Sequence, residues 1–292
     1  MPWFYAGQMQ SRSNRGWRPP RWWELKLKDW SARQITRLDP SPKAGLSGSQ
    51  TVLRHTLRKA GPDSPRTANA MVQVADQLKR QERYGEELLL REQVVQALRK
   101  NLGEDHENTL SAESQMGMCL VSLDREEDAE PLLARVVAES DASPCSVSPE
   151  AIEAMVWLAV IYMRSGRLDE SRHLLERVLP EYALHGAAES TAAMRTSTIL
   201  AAGLVRLHGL EEAIRLYRHI LDVRARTVGV DDPETLDTLE SLARVLIRAD
   251  QLAEARVLAM SLLEQRTRVL GAEHSDTSGA RKLLTSIEPP PG

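Results

Sequence analysis

"GLEEAIRLYRHIL", Gly209 to Leu221, carries the spacing that decides the fold. Counting from Ala213, the apolar residues Leu216, Ile220 and Leu221 stand three, seven and eight positions on, which is one face of an α-helix. The pattern returns every 42 residues, with Glu87, Ala129, Ser171, Ala213 and Ala255 as its marker. Three places after the marker stand Leu90, Leu132, Leu174, Leu216 and Leu258. Seven places after it stand Val94, Val136, Val178, Ile220 and Leu262. Twelve places before it stand only small residues, Ala75, Gly117, Ala159, Ala201 and Ala243. No insertion breaks this register from about residue 65 to residue 275.

These columns predict pairs of antiparallel helices. A helix A holds the small residue, a turn such as "SGRLDE" or "ADQLAE" follows, and a helix B holds the marker. Small side chains at both positions let the two backbones approach closely. A single hairpin cannot bury its apolar face, but a stack of hairpins can. The phrases "GRLDES" and "REEDAEPLLARVV", with small residues twelve apart, resemble tetratricopeptide repeats. The period of 42 and the linkers "LGEDHENTL" and "LGAEHSDT" resemble the kinesin-light-chain subclass. The resemblance implies an all-α fold, a right-handed α-solenoid whose A helices line a concave groove. It also implies a protein or peptide partner in that groove.

The expected organisation has four parts. Residues 1–19 are a basic tail containing Trp, and 20–62 a degenerate half-repeat with capping helices. Residues 63–274 hold five repeats, and 275–292 a capping helix, "SDTSGARKLLTSI", with a Pro-rich tail. In the half-repeat, Val52, Leu53 and Leu57 fit a helix B, whose partner helix would lie near Pro20 to Leu38. "DPSPKAGLSGS" between them reads as a loop. The first 30 residues hold five of the six tryptophans and six basic residues against two acidic. They can cap the solenoid, touch a membrane surface or nucleic acid, dock a partner, or reflect a misassigned start. Two departures stand inside the repeats. Glu87 replaces the usual Ala, which requires looser packing of the first full repeat, and Pro131 inside a helix B should bend it.

The totals exclude several functions. A net charge of −3 does not suit nucleic-acid binding, and no apolar run is long enough to span a membrane. Cys119 and Cys145 make neither a disulfide framework nor a zinc spacing. A cytoplasmic location is expected, and the excess of Arg over Lys suits a GC-rich bacterial genome. No HExxH, GxSxG, GxGxxG or Walker-type loop is present, so neither an enzyme nor a cofactor or metal site is expected. The acidic stretch "GVDDPETLDTLESL", Gly229 to Leu242, reads as helix punctuation: Asp232 as N-cap, Pro233 in the first turn, Glu234 at the positive helix end. Ser64 and Ser148 fall in the same register, each before a Pro; serine replaces Asp at a cap but not in a metal site. His106 and His274 share that register too, which predicts one structural role for both.

If helix A follows the family pattern, the positions 18, 15, 11, 8 and 7 before the marker face the groove. These are Ser111, Ser114, Met118, Val121, Glu153, Val156, Val160 and Met163 in the second and third repeats. In the fourth and fifth they are Arg195, Thr198, Val205, Arg206, Asp237, Glu240, Arg244, Ile247 and Arg248. The groove would have an apolar middle beside a stretch rich in Arg. It would take an apolar peptide with an acidic end, held by Arg206, Arg244 and Arg248. Tight superhelical closure or a homodimer would cover the same apolar surface instead. The family's chaperone-tail clamp needs Lys and Asn, and the column Asp76, Met118, Val160, Ala202 and Arg244 has no Asn. A ligand- or signal-peptide-sensing module that controls a partner enzyme or transcription factor is the alternative function.

Overall fold

Each helix A starts at a side chain that caps it. Ser64, His106, Ser148, Ser190 and Asp232 all hold extended backbone and accept a hydrogen bond from a backbone N–H two or three residues on. His274 does the same through Nδ1, from Asp276 N at 3.2 Å. Cap and marker columns share the 42-residue period, so the chain writes the start of every helix A at the same phase.

The structure is a computed structural model and describes residues 46–142 and 147–287. Its twelve helices are α1 (Leu46–Ala60), α2 (Pro65–Arg80), α3 (Tyr84–Leu102), α4 (Glu107–Ser122), α5 (Glu126–Ala142) and α6 (Pro149–Arg164), followed by α7 (Leu168–Leu184), α8 (Thr191–Arg206), α9 (Leu210–Thr227), α10 (Pro233–Arg248), α11 (Leu252–Leu270) and α12 (Ser275–Ile287). Helices α2, α4, α6, α8 and α10 are the A helices, and α12 begins a sixth as the expected cap. From α2 onward, each helix packs on the next in sequence. The A helices also approach one another across repeats, at α4–α6, α6–α8 and α10–α12, which places them on the inner side of the stack.

The turn from A to B is equally regular. Glu82, Asp124, Gly166, His208 and Asp250 all have positive φ, between 56° and 84°. These residues are 42 apart, so the left-handed position ends every helix A, and four of the five repeats accept it without glycine.

The core follows the predicted columns. Ala75, Ala159, Ala201 and Ala243 are fully buried, as are Ala129, Ala213 and Ala255 of the marker. At Gly117 a Cβ would stand 2.7 Å from Leu133 Cδ2, so a larger residue would require the buried Leu133 side chain to shift. Val178, Ile220 and Leu262 are fully buried as well, and each such side chain contributes about 1.5–3 kcal/mol. In the acidic stretch from Gly229 to Leu242, Leu236, Leu239 and Leu242 are core.

Several expectations need correction. Of the expected loop "DPSPKAGLSGS", Leu46 to Ser49 are helical at the start of α1, and the residues before Leu46 lie outside the described residues. In α1, Leu53 is buried but Val52 is exposed, so only part of the expected face is used. Glu87 does not loosen its repeat: it is 1% exposed, and Arg91 Nε donates to its Oε1 at 3.2 Å. Pro131 does not end its helix, and α5 runs from Glu126 to Ala142 around it. Pro131 and Glu127 are both exposed, so water can satisfy the carbonyl that the missing N–H leaves open. The basic Trp-containing tail, the partner helix near Pro20 to Leu38, Cys145 and the final "EPPPG" lie outside the described residues.

Candidate binding cleft on the concave face

Helices α8, α10 and α12 enclose a cleft of 490 Å³. Helix α8 supplies Ala202 and Val205, α10 supplies Ser241, Arg244, Val245, Ile247 and Arg248, and α12 supplies Leu283 and Ser286. Tyr217 of α9 closes the floor. Ala202, Arg244 and Ser286 are the same repeat position in three successive A helices, and so are Val205 and Ile247. The cleft is therefore a product of the repeat: each A helix lends the same face. Its lining is mainly apolar, with two guanidinium groups, two serine hydroxyls and the Tyr217 phenol. Burial pushes the Tyr217 phenol up, against a smaller opposing effect of its bond with Ser241, so the hydroxyl stays neutral.

Charge is distributed unevenly around it. Arg244 is 58% exposed and donates to Glu240 through Nε at 2.9 Å. Glu240 also accepts from Arg266 at 2.6 Å, and Asp237 accepts from Arg266 at 3.0 Å. Arg266 is itself only 5% exposed at its side chain. These four groups form a neutral set, so Asp237 and Glu240 are already committed inside the protein. Arg248 makes no hydrogen bond or ion pair among the described residues and is the unspent positive charge at the cleft. Arg206 donates to the carbonyl of Met163, and Arg195 pairs with Glu234 at 2.9 Å.

The cleft brings together Val205, Arg244, Ile247 and Arg248 from the expected groove set. The N-terminal half differs. Met118 and Val121 are 8% and 2% exposed, and Ser114 is fully buried with its hydroxyl donating to Glu150 O at 3.2 Å. Helix α6 has closed onto α4 there, so these residues do not offer a surface. Ser111, Val156, Val160, Met163 and Thr198 are half-buried and Glu153 is exposed, with Gln115 donating to Glu153 at 3.2 Å. The sequence reading did not single out Tyr217, Ser241, Leu283 or Ser286. It also missed Arg224 and Arg266. Each is buried and donates to a carbonyl in the first turn of the next A helix, Glu234 O at 2.8 Å and Asp276 O at 3.2 Å. The signal was two arginines 42 apart on a buried face.

Among the described residues, no group of three His, Cys, Asp or Glu side chains is placed to hold a metal ion, and no helix is long and apolar enough to cross a membrane.

Two family profiles, each described as Tetratricopeptide repeat, match residues 120–193 and 190–267, together half of the chain. No curated protein sequence matches it. Among solved structures, a Podosopora anserina putative kinesin light chain with nearly identical TPR-like repeats is similar at a TM-score of 0.60. It is 23% identical, and the match covers 71% of this chain and 96% of that one. BtubC (BKLC) from P. vanneervenii gives a TM-score of 0.50 at 17% identity, covering 85% of this chain and 84% of that one. The Rap conjugation gene regulator of plasmid pLS20, solved in complex with the Phr* peptide, gives 0.53 at 17% identity, covering 92% and 79%. At these identities the likeness is one of fold. Its period, its caps and its small-residue columns agree with both profiles and with solved solenoids of kinesin-light-chain-like build, and the chain belongs to the tetratricopeptide repeat family.

Proposed function

We propose that the protein is a non-enzymatic interaction scaffold that holds a segment of a partner protein in the α8–α10–α12 cleft. The observation that carries this reading is the cleft itself: apolar walls open to solvent, with Arg248 left without a counter-charge. Exposed apolar surface beside an unpaired guanidinium suits a peptide with an apolar side chain and a nearby carboxylate. Of the expected groove residues, Val205, Ile247, Arg244 and Arg248 make the contacts. Arg206, Arg195, Thr198, Val156, Val160, Met163 and Glu153 extend the surface along the stack.

The test is selection from a displayed random peptide library on the full chain, repeated with Val205→Asp plus Arg248→Glu. Enriched peptides that the double variant no longer binds, at unchanged helical content, support the reading. No enrichment, or enrichment indifferent to the substitutions, removes it. A regulatory version, in which a signal peptide in the cleft controls a partner enzyme or transcription factor, is favoured by one observation. A similar fold, the Rap regulator, was solved with a peptide bound.

A further inference from the structure

Helix α11 presents to solvent a stripe that the two outer helices before it do not have. Its exposed residues Ala253, Val257, Met260, Glu264 and Thr267 recur at intervals of four and three, which is the spacing of a coiled-coil seam. One repeat earlier, the first four of these positions are Glu211, Arg215, Arg218 and Asp222 on α9, a face that water solvates. On α7 they are Asp169, His173, Glu176 and Pro180. All three helices are the B helix of the same hairpin, so the hairpin does not require apolar side chains there.

Val257 is 64% exposed and Met260 53%. Lone apolar side chains are ordinary on a surface, but these two are neighbours on one helix face. Leu252, two turns before Met260, is exposed as well, whereas its counterparts Leu168 and Leu210 are half-buried. None of these residues lines the cleft, so the stripe is a second surface.

The chain itself shows what packs beside an outer helix. Arg172 of α7 reaches Glu212 of α9 at 3.3 Å, and Arg218 of α9 reaches Glu254 of α11 at 2.7 Å, so each outer helix lies against the next. No outer helix follows α11 among the described residues. Helix α12 is not built to seat one. Two columns that are buried in all five A helices hold Arg281 and Thr285 in α12, and both are exposed.

The charges on the stripe select a second copy of α11 as its cover. Arg256 stands four residues before Met260 and Glu264 four residues after it. Glu264 makes no hydrogen bond or ion pair among the described residues. Two α11 helices packed antiparallel about a two-fold axis at Met260 bring each Arg256 to the Glu264 of the other, on either side of a contact between the two Met260 side chains. A guanidinium has five donors, so Arg256 can meet that carboxylate and keep its contacts within its own chain. Parallel packing would set like charges together instead. We propose that two copies of the protein associate through α11, antiparallel about a two-fold axis at Met260.

The experiment uses the full chain. Sedimentation velocity from about 1 µM to about 100 µM is expected to show a mass that rises from one chain toward two. Val257→Arg plus Met260→Arg copies the solvated face of α9 and is expected to weaken the dimer at least about tenfold, at unchanged helical content. Cross-linking tests the axis, in a Cys145→Ser background where the remaining Cys119 is buried. Met260→Cys is expected to form an intermolecular disulfide under a mild oxidant, because each such position faces its own copy. Val269 is 44% exposed on the opposite side of α11, and Val269→Cys is expected to form none. A monomer at every concentration overturns the dimer and leaves the stripe to a partner of another kind. A dimer that the double arginine variant leaves intact, or a disulfide that forms as readily at Val269→Cys, also overturns it.

Discussion

Asp232 sits in a run of carboxylates that could serve a metal, yet what it does is accept one hydrogen bond from Glu234 N at 2.9 Å. The six cap positions explain why that is enough. Ser64, His106, Ser148, Ser190, Asp232 and His274 have nothing in common except an acceptor atom at the right reach. Variation within one chain thus separates a cap, which needs any acceptor, from a ligand, which needs a particular one. Asp232→Ala is expected to lower stability by about 1 kcal/mol, while Asp232→Ser keeps most of it. Thermal denaturation of the two variants checks this, and equal loss in both would point to a role for the carboxylate beyond capping. Glu87 shows the limit of reading single residues. A charge in an alanine column signals conflict from sequence alone. Only the structure shows that its relief is Arg91, four residues on, at a position where later repeats carry Leu133 and Leu175.

At the scale of elements, the sequence made every helix from α2 to α12 legible, because both periods, 3.6 and 42, are carried by buried side chains. It made the cleft legible only in part. The face of each A helix could be read, but how near neighbouring A helices come could not. Small side chains at Ser111 and Ser114 let α6 close onto α4, and Met118 and Val121 are buried as a result. The same positions in α10 hold Asp237 and Glu240, whose bonds to Arg266 tie α10 to α11. Burial raises the Glu240 carboxyl, but Arg244 and Arg266 outweigh it and hold the group below its ordinary value. A carboxyl lowered in the folded state gives stability that is present above the unfolded value and lost as pH falls through the folded one. Glu240→Gln leaves the buried Arg266 with Asp237 as its one carboxylate, beside the Asp276 carbonyl, and is expected to cost about 1–3 kcal/mol near neutral pH. The gap to wild type should close as pH falls through and below the ordinary carboxylate range. Urea midpoints at about pH 7 and about pH 4 measure it, and a gap that widens on acidification would reverse the assignment.

For the whole molecule, the ends matter more than their size suggests, since a stack of hairpins needs something over its last apolar face. Helix α12 covers that face and also supplies Leu283 and Ser286 to the cleft, so cap and site are one element. The terminal core is separate from the long one: Leu236, Leu239, Ala243, Ala259 and Leu262 cluster with Ala280 and Leu283. A loss there should therefore stay local. Leu283 is 6% exposed, and Leu283→Ala removes apolar atoms whose loss in a rigid core costs about 2–5 kcal/mol. Local coupling then has a definite signature in hydrogen exchange: protection falls in α11 and α12 and is retained in α6–α8. Leu204→Ala, at a site 1% exposed in the middle of the long cluster, is expected to lower the main unfolding midpoint instead. The cleft is sensitive to the first change and not to the second at temperatures where both variants are folded, because only Leu283 lines it. Uniform loss of protection from α4 to α12 in Leu283→Ala would mean a single cooperative unit, and the separation of the terminal cluster would then have no energetic meaning.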